Sequence, residues 1–432
     1  MGYTEFNTAG LTDFDDDDYD IYGAADYLKN PNNFRDFDEG LKELMYKKGY
    51  DINLNYPELS DILYQNLKLI GSTIKPATVT SWFNKEHRPK VEAGYRQQIY
   101  EICFALKLSY NDTKWFFHHV YYDRAFNCHT IDESIYYYAF INGLSYQESQ
   151  EIISTINNSQ NNPVDENSLK EFDNYTQFVR ERIDSFKSKD ELIDFLTYNK
   201  DNFNSWNHTA YDEIKNKVNE LLPSDEGKKE IDNIKRTIKR NNNIDSVPKN
   251  LSSKKEWGLL MQEFFSNISS VDDLQYISGL PVKAQKFIIR RILSFNSTAT
   301  KIDTISIPYI VKNNFPSIKT LSDILDFEKI RNSKSYDAIR KLIILLNFYV
   351  FWVRIDLGYV EEIKEFSNEE LYDTFVEELN YTLYRCGYEP LYPGNPYDWL
   401  FMFVSLKQQP LKYFRYFIEE ISLDDEEWYI KD

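Results

Sequence analysis

The chain has 432 residues, with 69 Asp and Glu against 50 Lys and Arg for a net charge of −19, and aromatic residues make up 16% of it. That length fits two or three compact units, and only 14 Gly and 14 Pro argue against a loop-rich sandwich or a Gly-rich nucleotide fold. A surface this acidic repels phosphate on average, so any contact with nucleic acid must come from a local basic face.

Residues 1–35 are acidic and carry Asn30-Pro31-Asn32-Asn33, which predicts a tail or a loosely docked arm. The LTDFDDDDYD run at 11–20 is the opposite of an export signal. From Phe37 the apolar period becomes helical. Phe37, Leu41, Leu44 and Met45 form one stripe that Gly49 ends, and Leu59, Ile62, Leu63 and Leu67 form the next, ended by Gly71. A short helix is expected over Pro76–Asn84, longer ones over about 92–106 and 110–120, and further helices within 131–156. The polar stretch Asn157–Ser168 marks a boundary. Helices follow across 169–240, whose end carries a basic stripe of Lys228, Lys229, Lys235, Arg236, Lys239 and Arg240, read as a solvated helix face. After a break near 241–253, an aromatic-rich helical region runs over 255–424, with one possible strand at 301–311 that Pro308 places off a sheet centre. Leu342–Val353 is the most apolar run, but twelve residues flanked by Arg340, Lys341 and Arg354 are too few to span a bilayer, so a buried helix and no membrane contact are expected. The loop Glu389–Trp399, rich in Pro and aromatics, is read as a packing plug in preference to an interface. The fold class is therefore all-α, and residues 36–156, 169–240 and 255–424 are the expected units after the N-terminal arm.

Residues 38–120 carry the functional signal. Their order is helix, helix, short helix, helix, helix, with Thr78-Val79-Thr80-Ser81-Trp82 in the third element, Pro89 after it, and an Ile-x-x-Ile-Cys-x-Ala-Leu-x-Leu pattern over Ile99–Leu108. This resembles the lambda-repressor/Cro-like helix-turn-helix family. The resemblance implies that the third helix enters the major groove of double-stranded DNA and reads bases with its N-terminal half. The residues agree on their own terms. Pro76 suits a first helical turn, with Thr73 or Lys75 near the cap. At 100° per residue Val79 and Trp82 share a side that buries against the fourth helix, and Ala77, Thr80, Ser81 and Asn84 face outward. Short hydroxyl and amide side chains there can reach base edges. Lys75, Lys85, Arg88, Lys90 and Arg96 surround them against Glu86 and Glu92 alone, a local reversal of sign that marks a phosphate-contact surface. Arg88, Lys90 and Arg96 are the expected phosphate contacts. The glycine usual after the third helix is replaced by Asn84 or Lys85.

Other chemistry finds little support. His118, His119, Cys128 and His129 cluster in sequence, but neighbouring helical histidines point apart and no Cys-x-x-Cys pair exists, so packed or surface residues are expected and no metal. Cys103 sits on the buried stripe of Ile99, Ile102 and Leu106. Three dispersed cysteines fit a reducing compartment and a cytoplasmic protein. No phosphate loop, nucleophile elbow or zinc-protease motif is present, so neither a cofactor nor an enzyme is expected. The leading expectation is a bacterial or phage-type transcriptional regulator with a helical sensing or oligomerisation region, able to form a homodimer. Its rival is a protein-interaction factor, such as a phage-defence component or inhibitor, that uses the helix-turn-helix as a scaffold.

Overall fold

The computed structural model describes residues 3–12, 18–85, 88–89, 93–126, 128, 130–159, 175–200, 203, 208–221, 314, 336–356, 366–411, 413–414 and 417. They form helices, with no strand among the described residues: α1 (Tyr3–Ala9), α2 (Asp18–Lys29), α3 (Phe37–Lys47), α4 (Tyr56–Leu69), α5 (Pro76–Phe83), α6 (Ala93–Ala105), α7 (Tyr110–Phe116), α8 (Ile131–Asn142), α9 (Tyr146–Asn157), α10 (Tyr175–Ser185), α11 (Lys189–Tyr198), α12 (His208–Leu221), α13 (Tyr336–Asp356), α14 (Asn368–Arg385) and α15 (Pro396–Ser405). The proposed strand at 301–311, the basic stripe at 228–240 and Lys90 lie outside the described residues.

Side-chain caps start many of these helices. Asn55 and Glu58 exchange side-chain and backbone bonds at the head of α4, and Ser109 with Asp112, Ser145 with Glu148 and Ser367 with Glu370 do the same for α7, α9 and α14. Each arrangement satisfies two backbone donors that a helix start leaves open.

Two apolar cores result. One joins α3 through α11: Leu41, Leu63, Trp82, Ile99, Phe117, Ile135, Ile152, Val179 and Leu196 all belong to it. The other joins α1 and α2 to α12, α13, α14 and α15 through Leu11, Ala25, Leu28, Phe34, Tyr211, Leu346, Phe375 and Trp399. The expected arm at 1–35 is thus part of the C-terminal core. The indole of Trp399 stacks on Tyr27 at 5.1 Å, meets the ring of Phe34 at 5.9 Å, and donates to the Asn7 carbonyl at 3.2 Å. Aromatic burial outweighs the acidic composition here, because Ala24, Ala25 and Leu28 put one apolar side on α2. The expected boundary at 157–168 does not separate cores either: α10 and α11 extend the N-terminal one, and α12 joins the C-terminal one against α13. The run Leu342–Trp352 is buried within α13, and no described helix is long and apolar enough to cross a membrane. The Pro/aromatic loop is a packing plug, buried from Pro393 into Trp399.

Candidate functional site

α5 begins at Pro76 with Lys75 in extended backbone as its cap residue, and the chain leaves it through Asn84 and a left-handed Lys85 at φ 59°. Of the two candidates for that conformation, Lys85 adopts it. Val79, Trp82 and Phe83 are buried, with Trp82 edge-on to Phe37 at 6.2 Å. The main packing partners of α5 are α4 and α3, where the helical wheel had pointed to the fourth helix of the unit. Lys75, Ala77, Thr80, Asn84 and Lys85 are exposed, as expected of an outward face, and Thr80 Oγ1 lies 3.2 Å from Ser60 Oγ on α4. Ser81 departs from that expectation. It is 8% exposed, and its hydroxyl donates to the Thr78 carbonyl at 2.7 Å. A side chain this short folds back on its own helix and satisfies itself there.

The cations depart further. Arg88, expected on phosphate, is 7% exposed; it donates to the Tyr121 carbonyl at 3.2 Å and to Asn314 Oδ1 at 3.0 Å. Arg96 is 5% exposed and pairs bidentately with Glu133 at 2.7 and 2.8 Å, with Asp123 on its other nitrogen and the Arg124 carbonyl at 3.1 Å. The Tyr100 hydroxyl donates to the same Glu133 carboxylate at 2.8 Å, so both acceptor oxygens are engaged. Burial alone would lower the guanidinium pKa. The Asp123 and Glu133 charges outweigh it and hold the group well above the ordinary arginine value. Lys85 is exposed, but its ammonium bridges Asp36 at 3.0 Å and Asp38 at 3.7 Å. Burial lowers the Lys85 pKa, and the Asp36 hydrogen bond and charge overcome that and raise it. Of the five cations expected to surround the reading helix, Lys75 is therefore the one described residue that stays exposed outside an ion pair.

Behind this face lies a junction that sequence reading passed over. α7 continues into a π-helical turn over Phe117–Tyr121, and Tyr122 follows in the left-handed region at φ 57°. The turn aims two histidines and the next residues at the loop before α15. His118 Nε2 sits 3.3 Å from Glu389, and His119 Nε2 is 3.2 Å from the Tyr392 hydroxyl. The Asn395 amide donates to the Tyr122 carbonyl at 3.1 Å, and Arg124 donates to the Gly387 carbonyl at 2.6 Å. Burial first, then the neighbouring His118, Arg35 and Lys47 charges, drives the His119 pKa down to about 3, so the ring is neutral. Deeper in, Arg340 grips Asp398 at 2.6 and 2.7 Å and Lys341 pairs with Asp337 at 2.6 Å. The cavity between these groups is about 40 Å³. Organic ligands occupy roughly 300–1,000 Å³, so this space suits a few waters and the arrangement is a charge-compensated joint. The histidine cluster was the available signal, weighed earlier as a metal site. Among the described residues no group of three or more His, Cys, Asp or Glu could hold a metal, and His129 lies outside them. Cys103 and Cys128 are buried, and burial raises both thiol pKa values, that of Cys128 to about 11.

No protein-family model, curated protein or solved structure matches this chain.

Proposed function

We propose that this chain is a protein-interaction factor whose α3–α7 unit, similar in element order to the lambda-repressor/Cro-like helix-turn-helix family, serves as a scaffold. What carries the reading is the fate of the cations. Affinity for DNA comes chiefly from Lys and Arg that neutralise phosphates. Here Arg88 and Arg96 are spent inside the protein, Lys85 is bound to Asp36, and the chain as a whole carries −19. An acidic helical body with capped helices is suited to binding other proteins, where potentials of opposite sign choose the partner.

A second reading, a transcriptional regulator acting on double-stranded DNA, is favoured by one observation: Ala77, Thr80 and Asn84 share the exposed side of α5 and its end, and Lys75 is exposed at its start. One experiment separates the two. The full chain is offered a random duplex pool at low salt, and the native chain is purified with nuclease at high salt. The protein-binding reading expects no recovered motif and a protein that stays bound. A recovered motif that changes in the Thr80→Ala or Asn84→Ala chain overturns it.

A further inference from the structure

Three elements of the N-terminal unit meet at one buried carboxyl. Asp38 stands in the first turn of α3 and is 0% exposed. Tyr56, the first residue of α4, places its hydroxyl 3.1 Å from Asp38 Oδ2 and 2.7 Å from Glu39 Oε1. Its ring carries the Lys42 ammonium at 5.1 Å. Lys85, in the left-handed turn after α5, meets Asp36 at 3.0 Å and lies 3.7 Å from Asp38 Oδ2, beyond hydrogen-bond reach. Asp38 Oδ1 has no hydrogen-bond partner among the described residues, not even an amide of its own helical turn.

We infer that Asp38 is a neutral acid in the folded chain and serves as a pH-sensitive latch: its proton joins α3 to the head of α4, and rising pH releases the joint. A phenol donates one proton. With that proton on the nearer Glu39, the Tyr56 oxygen faces Asp38 Oδ2 as an acceptor. An ionised Asp38 would set two acceptor oxygens against each other. A protonated one donates, and a continuous chain runs from Asp38 through Tyr56 to Glu39. Glu39 is exposed, so water solvates its charge. Asp38 is enclosed, and leaving an oxygen bare costs far more on a buried carboxylate than on a neutral carbonyl. The groups around Asp38 act in both directions. Burial raises its pKa, the Lys85 charge and the Tyr56 hydrogen bond lower it, the Asp36 and Glu39 charges raise it again, and the net is upward. Burial, then the Glu39 hydrogen bond, holds the Tyr56 pKa well above its ordinary value, so the phenol keeps its proton. When Asp38 ionises, the chain of donors breaks and a buried charge faces an oxygen, which loosens α3 from α4. The latch operates whichever partner the chain binds.

The test compares denaturation midpoints of the full wild-type and Asp38→Asn chains from pH 4 to pH 8. Asparagine matches aspartic acid in size, stays neutral, and has an amide that can donate to Tyr56. Every other group titrates in both chains, so their difference reads Asp38. A carboxyl whose folded pKa is raised contributes stability that is complete below the unfolded value of 3.8 and is lost as pH rises through the folded value. The folding constant of Asp38→Asn should therefore gain on the wild type by about tenfold per pH unit above 3.8, then hold level once Asp38 ionises in the folded chain. In parallel, the carboxyl carbon-13 resonance of labelled aspartate that Asp38→Asn removes should titrate above 3.8. Three results overturn the inference: a gap between the chains that stays constant with pH, a gap that widens in favour of the wild type as pH rises, or a resonance that titrates at or below 3.8. An Asp38→Asn chain that fails to fold at pH 4 overturns it as well, because a neutral side chain of the same size is then not what the site accepts.

Discussion

A guanidinium removed from water loses several kcal/mol of hydration, and only a full set of acceptors returns it. Arg96 has that set: two carboxylates, a carbonyl and the Tyr100 hydroxyl nearby. Removing it leaves Glu133 buried and Asp123 half-buried without their counter-charge. Arg96→Ala is expected to destabilise the N-terminal core by about 3–5 kcal/mol, read as a shift in the denaturation midpoint of the full chain. Arg96→Lys keeps the charge and loses the fork, so it should fall between the two. A shift in Arg96→Ala no larger than that of an exposed lysine would mean the network is not what holds this core. Trp82 makes the companion case. It is 1% exposed against Phe37, so Trp82→Ala creates a cavity and should cost about 3–5 kcal/mol. A melt indifferent to that change would contradict the register of α5.

At the scale of elements, the π-helical turn after α7 is tied to α3 as closely as to the C-terminal loop. A Cβ on Gly40 would overlap the Val120 methyls of that turn. Gly40→Ala is thus expected to destabilise by about 1–3 kcal/mol, and Val120→Ala in the same chain should return part of the loss; no recovery would place the strain elsewhere. The turn also has a pH signature. The His119 pKa falls from an ordinary 6.5 to about 3, so the unfolded chain takes up this proton first as pH falls. The contribution is complete above pH 6.5 and is lost as pH drops toward 3. Between pH 7 and 5 the wild-type melting temperature should fall more steeply than that of His119→Gln; parallel slopes would rule this out. These elements also show what the chain made legible. Helical period placed α3 to α7 and the apolar side of α5, because i, i+3 and i+4 neighbours are set by local geometry. The fate of Arg96 was hidden because Asp123 and Glu133 stand 27 and 37 residues away, and Arg88 meets a partner 226 residues on. A positive charge in sequence carries no mark of the carboxylate that will bury it.

At the scale of the whole molecule, the first and last described segments share one core. The Trp399 indole donates to Asn7 across 392 residues and packs between Tyr27 and Phe34. The acidic composition of residues 1–35 hid this, since the residues that dock, among them Leu11, Ile21, Ala24, Ala25 and Leu28, are few beside the carboxylates of the sequence. Leu11, Ile21, Ala25 and Leu28 are buried in the same core as Trp399, Leu400 and Phe403 of α15. Trp399→Ala removes the largest ring from that contact, a change of about 3–5 kcal/mol for a buried aromatic. Local openings follow such losses within the unit that holds the contact. Hydrogen exchange of the full chain should then show amides of α2 opening faster in Trp399→Ala, with those of α4, which belong to the other core, still protected. Unchanged protection across α2 would show that its helix stands without the C-terminal core. Equal loss in α4 would show that the two cores unfold as one.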